Sequence, residues 1–167
     1  MTGNAPSTCE PVTTTFARLH DGPTPLLLPT HGTSPSALAF VRAGYPAIAT
    51  TSFGVAASAG RPDGGRTTRK ANQTLATTLR HLPIPLSVDI EDGYDDDPDA
   101  VADYAATLSH TGVAAINIED STADILIDPA RHSAKITAIK QHCPDLCSST
   151  REWTPTGSAR TPHPSTH

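Results

Sequence analysis

Between residues 25 and 142 short apolar runs alternate with longer Ala- and Thr-rich stretches, and the two patterns keep different periods. Residues 25–28, 47–51, 86–90 and 113–118 read as strands. They are apolar at successive positions, which predicts a sheet covered on both faces. The stretches between them predict helices over 36–43, 68–81, from 97–98 to just before Gly112, and over 129–142. A glycine-rich loop running through Gly65 is expected after the second strand. Proline near a first turn, or glycine just past a last one, marks each helix. Strand and helix in regular succession predict four βα units around a parallel sheet.

The pattern ends near Leu146. From 148 to 167 the only large apolar residue is Trp153, amid Ser, Thr, Pro, Arg and His, so this tail is expected to be disordered, as are residues 1–15. The 16 prolines and 11 glycines would point to disorder throughout if scattered, but most lie between the apolar runs, where element boundaries belong.

A length of 167 residues predicts one domain. Twelve Lys and Arg against 17 Asp and Glu give a net charge of −5, which argues against nucleic-acid or anionic-membrane partners. No run approaches the roughly 20 apolar residues of a membrane span, and the Thr-rich start lacks a signal peptide's basic and apolar regions, so a cytoplasmic location is expected. Cys143 and Cys147, four apart beside His142, and the isolated Cys9 read as structural rather than metal-binding.

The informative residues cluster where strands finish. Asp89 and Glu91 lie two apart at the end of the third strand, on one side of an extended backbone. Glu119 ends the fourth strand, and Asp63 belongs to the loop after the second. In a parallel βα sheet these ends share one rim. Carboxylates converging there repel one another unless a cation sits among them, and all-oxygen ligands without thiolate or histidine favour Mg²⁺ over zinc. The acidic run from Asp95 to Asp99 reads instead as solvated and helix-capping. The segment Thr50-Thr51-Ser52-Phe53-Gly54, on the same rim, offers small residues, hydroxyls and N–H groups to an anion.

Taken together, Ala47-Ile48-Ala49-Thr50-Thr51-Ser52, Gly60-Arg61-Pro62-Asp63-Gly64, Ser87-Val88-Asp89-Ile90-Glu91 and Ile116-Asn117-Ile118-Glu119-Asp120-Ser121 resemble the isocitrate lyase/phosphoenolpyruvate mutase family over residues 16–146. The resemblance implies the N-terminal half, about four βα units, of a (β/α)8 TIM barrel. It also implies Mg²⁺-dependent making or breaking of a C–C or C–P bond beside a pyruvate-like unit of a small carboxylic acid. Asp89 would be the direct metal ligand, Glu91 and Glu119 would hold metal-bound waters, and Asp63 would complete the acidic cluster. Thr51, Ser52, Phe53 and Gly54 would surround the substrate carboxylate. The resemblance assigns no catalytic acid or base, and it implies a homo-oligomer for a full-length member.

Two departures qualify it. The lyases of the family carry a Lys-Lys/Arg-Cys-Gly-His loop after the fourth strand, whereas residues 121–128 contain no cysteine, so a mutase- or hydrolase-like branch is expected. Thr30-His31-Gly32-Thr33 stands where the family has Asn-Ala-Trp-Asp. A closed barrel needs about 250 residues and eight units. The codons of residues 147–157, read one base out of frame, can spell VFVNARVDTHW, an apolar strand ending in Asn-Ala-Arg, and a frameshift near Leu146 is therefore expected, with a product weakly active or inactive alone. Two other readings stand beside this one: a small flavodoxin-like metal-binding or receiver module, and a non-catalytic interaction fragment.

Overall fold

The computed structural model describes residues 11–123 and 125–146. The elements run α1 (Val12–His20), β1 (Thr30–His31), α2 (Ser34–Arg42), β2 (Ile48–Thr50), α3 (Ser52–Ser58), α4 (Arg69–Leu79), β3 (Leu86–Asp89), α5 (Pro98–His110), β4 (Ala115–Asn117), β5 (Ser121–Thr122), β6 (Ile125–Leu126) and α6 (Pro129–His142). The first four strands form one parallel sheet in the order β1-β2-β3-β4. Consecutive parallel neighbours joined by helices are the construction of a barrel wall. A flavodoxin-like sheet would place its first strand between the second and third. The strand order therefore overturns that alternative.

Register separates the two faces of the sheet. Thr30 lies opposite Ala49, Ala49 opposite Ser87, and Ser87 opposite Ala115, so one face is built from small side chains. The alternate positions Ile48, Leu86, Val88 and Ile116 point the other way. They join Leu75, Leu79, Val101, Leu108 and Ile139 of the helices in the main core. Helix starts follow from their caps. Asp97 accepts from the Asp99 N–H, and Asp128 from those of Ala130 and Arg131, with Pro98 and Pro129 in the first turns. Each such cap is worth about 1 kcal/mol.

Several boundaries differ from expectation. The first strand pairs at Thr30–His31 rather than at 25–28, because Pro25 and Pro29 have no N–H to give; the ladder begins where the Pro29 carbonyl accepts from Ala49 N at 2.9 Å. The start of the expected glycine-rich loop is the helix α3, and β5 and β6 form an antiparallel hairpin that the apolar pattern did not announce. Helix α1 begins at Val12, inside the segment 1–15 expected to lack structure. Its Phe16 is fully buried against Ala47, Ala114 and Ala115, with Val12, Leu19 and Leu28 around it, at the starting ends of the strands. The expectations for residues 1–10 and for the tail 147–167, including Cys9 and Cys147, lie outside the described residues.

Candidate metal and substrate site

Asp89 ends β3 with its carboxylate fixed from both sides. Its Oδ2 accepts from the Ser52 N–H at 2.8 Å and its Oδ1 from the Glu91 N–H at 3.0 Å, while its own N–H donates to Thr50 Oγ1 at 2.9 Å. The helix that Ser52 opens thus aims its first N–H at the acid, which sequence alone did not show. Burial raises the pKa of Asp89 above the usual carboxylate range; hydrogen bonds from Ser52 and Glu91 oppose the shift, and the negative charge of Asp63 adds to it. A charge-poor, oxygen-only pocket of this kind is relieved by a hard cation.

Glu91 is buried, and both carboxylate oxygens are held: Oε1 by the Thr68 hydroxyl and Oε2 by the Arg66 N–H at 3.0 Å. Its carbonyl accepts from the Glu119 N–H at 2.7 Å, which ties the ends of β3 and β4 together. Asn72 donates to the Asp89 carbonyl at 2.7 Å and to Tyr94 Oη at 3.2 Å, and Tyr94 Oη lies 3.1 Å from Thr68 Oγ1. Burial pushes the Tyr94 phenol up, so it stays neutral.

Asp92, also buried, receives Arg66 through Nε and Nη2, the Thr122 hydroxyl at 2.6 Å and the Tyr94 N–H at 3.0 Å. Lys135, with its side chain 1% exposed, gives Nζ to the Asp92 carbonyl at 2.8 Å and lies 3.8 Å from its carboxylate. Although burial acts on Asp92 in the upward sense, these partners hold its carboxyl below the usual range. Among the described residues Arg66, Glu91, Tyr94 and Ala123 are the non-glycine residues with positive φ, at 59°, 51°, 63° and 48°. Each costs of order 1–3 kcal/mol and persists only where the surroundings over-determine it. Glu91 and Tyr94 follow β3, Arg66 lies between α3 and α4, and Ala123 is in the turn of the β5–β6 hairpin.

A cleft of about 290 Å³ opens on the small-residue face and is lined by Leu28, Thr30, Ala49, Thr50, Thr51, Ser87, Asp89, Ile116 and Asn117. The expected substrate residues divide around it. Thr51 lines the cleft, and Ser52 is buried behind it with its N–H committed to Asp89. Phe53 is 68% exposed, and Gly54 packs against Gly32; neither lines the cleft. Among the acids, Glu91 meets Asp89 through its N–H and Glu119 through its carbonyl, and Asp63 is exposed within electrostatic range of Asp89. Among the described residues no three His, Cys, Asp or Glu side chains are gathered as a ready ligand group. Asp89 is the carboxylate among the residues that line the cleft.

Thr68, Asn72, Arg66 and Asp92 went unassigned in the sequence. Thr68 and Asn72 stand four apart where α4 begins, both buried, and two polar residues on the buried side of a helix are the signal that could have marked them.

The phosphoenolpyruvate phosphomutase family model matches residues 16–148. An uncharacterized protein of Mycobacterium tuberculosis is 56% identical over 131 residues, covering 78% of this chain and 50% of its own length. The chain thus spans about half the length of the curated relatives it matches. A candidate phosphonomutase from Burkholderia cenocepacia J2315 superposes with a TM-score of 0.74 at 31% identity, over 79% of this chain and 54% of that one. Phosphonopyruvate hydrolase, in a complex with oxalate and Mg²⁺, shares the fold at a TM-score of 0.75 and 19% identity, over 83% of this chain and 51% of its own.

Proposed function

The chain belongs to the phosphoenolpyruvate phosphomutase family, and on that premise we propose that it carries the Mg²⁺ half-site of a lyase- or mutase-type enzyme acting on a small 2-oxo or 2-hydroxy acid. The observation that carries this reading is Asp89, a half-buried carboxylate at the end of β3, clamped by two backbone N–H groups and lining the cleft beside Thr30, Thr50, Thr51 and Ser87. Asp89 would bind the ion directly, and Glu91, Glu119 and Asp63 would hold its waters. Lewis-acid stabilisation of the charge that develops when a C–C or C–P bond beside a pyruvate-like unit is made or broken is the chemistry a bound Mg²⁺ supplies.

The chain's own residues prepare that site. Two N–H donors hold the Asp89 carboxylate in one orientation, which lowers the cost of ordering it when a ligand arrives. Because the Ser52 N–H is already used, recognition of a substrate carboxylate falls to Thr51, with Thr30 and Asn117 lining the same cleft. Phe53 and Gly54 would bound the site without touching substrate. The activity of the whole enzyme, its homo-oligomeric state and its cytoplasmic location extend this proposal, since the chain spans half of its relatives.

Isothermal titration of the 167-residue chain with Mg²⁺ tests the reading. Wild type should bind saturably and Asp89→Asn should lose detectable binding. Equal behaviour of the two chains would remove the metal site, and with it this assignment.

A further inference from the structure

We propose that Arg66 is a positioning residue for Glu91: its guanidinium, anchored on buried Asp92, holds its own strained backbone so that the N–H points at the Glu91 carboxylate. This deepens the Mg²⁺ reading and rests on it. Three observations join here. The Arg66 N–H reaches Glu91 Oε2 at 3.0 Å. That direction requires φ of 59° at a residue with a Cβ, a conformation costing about 1–2 kcal/mol. The same residue's Nε and Nη2 grip both oxygens of Asp92, and Nη2 also reaches Asp96 at 2.6 Å. Glycine would supply the backbone angle at no steric cost. An arginine there spends backbone energy and recovers it through a two-nitrogen fork on a carboxylate, a geometry lysine cannot copy.

Asp92 is a firm anchor because it is held from three further directions. Thr122 on the hairpin, Lys135 on α6 and its own Tyr94 N–H all converge on it. Arg66 therefore links the acid that would hold metal-bound water to the hairpin and to α6 without touching the ion. Glu91 would itself stand one shell from the metal, where loss of a partner typically changes affinity about 10- to 100-fold, so Arg66, acting through Glu91, is expected to move it towards the lower end of that range.

The test is Mg²⁺ titration calorimetry on the folded 167-residue wild-type chain and on its Asp89→Asn, Arg66→Gly and Arg66→Lys variants, with each melt recorded by circular dichroism. Arg66→Gly keeps the donor N–H and relieves the backbone but loses the fork; it is expected to bind Mg²⁺ about tenfold more weakly. Arg66→Lys, which keeps the cation and the solvated surface, is expected to fold and to fall between the two. A purely structural role would lower the melting temperature yet leave the affinity of the folded chains unchanged, and that result overturns the inference. Should Arg66→Gly not fold, wild-type affinity in Arg66→Lys overturns it equally. If Asp89→Asn matches wild type, the metal reading itself has failed; if only the Arg66 variants match wild type, this inference alone has failed.

Discussion

Burial raises the pKa of Asp89 while Arg66, Thr122 and Lys135 lower that of Asp92, so two neighbouring carboxylates act on stability with opposite signs. Ionising Asp89 costs the fold nothing below the unfolded-chain pKa of about 3.9. The cost grows as pH rises from there to the raised native pKa, and it stays constant above that. Asp92 contributes stability above about 3.9 and loses it as pH falls through its depressed native pKa. Subtracting the melting curve of Asp89→Asn from that of wild type, with chelator present, cancels Asp92 and isolates Asp89. Wild type is expected to lose ground to the variant as pH rises from 3.5 to 7, and Mg²⁺ should restore wild type only, because a ligand that binds the native state alone stabilises it. Parallel pH dependences of the two chains would mean that Asp89 is not the strained acid. The residues of this site were unevenly legible. Asp89, Glu91 and Glu119 stood out as candidates because each comes at or just after the end of an apolar run. Arg66 and Asp92 looked like ordinary loop charges because they meet across 26 positions of sequence, a distance no local pattern spans.

Helix α3 shows the same limit at the scale of elements. Helices α5 and α6 were legible because Asp97-Pro98 and Asp128-Pro129 cap and open them. The segment Ser52–Ser58 has no side-chain cap and contains Gly54, which local propensity assigns to a loop. What makes it helical is tertiary: its first N–H satisfies Asp89, and Gly54 lets it lie against Gly32 after β1. Gly32 follows β1 directly, and its lack of a side chain has a structural consequence. A Cβ on Gly32 would fall 2.0 Å from the Gly54 carbonyl carbon, and backbone cannot yield there cheaply. Gly32→Ala is expected to cost about 1–3 kcal/mol or more in urea unfolding. Gly44→Ala meets nothing within 4 Å and pays only for its φ of 83°, about 1–2 kcal/mol. Gly32→Ala combined with Gly54→Ala should cost less than the sum of the two, since either one already forces the same backbone approach apart. A Gly32→Ala chain as stable as wild type would show that the two backbones are free to part.

At the scale of the molecule, the helix-covered face of the sheet is complete and the opposite face is not. Ile48, Leu86 and Val88 are sealed under helices, whereas Thr30, Ala49 and Ser87 border an open cleft. β1 and β4 each have one neighbour in the sheet among the described residues, and an outermost strand is where a sheet can take on a further strand. Exposed Ile125 and Leu126 on the hairpin and Phe53 on α3 add apolar surface in the segments that follow the strands. The matched relatives are about twice as long as the stretch they share with this chain, and in a closed barrel both edges would be paired. We therefore expect the 167-residue chain to self-associate with rising concentration in sedimentation velocity. Supplying the remaining half of a relative as a separate chain should suppress that association and raise the melting temperature, because a partner that binds only the folded state stabilises it. A monomer at about 100 µM that melts cooperatively and ignores the added half would mean that the two edges are satisfied within the chain itself. In that case its acids would have to be judged as a site in their own right, not as one side of a barrel mouth.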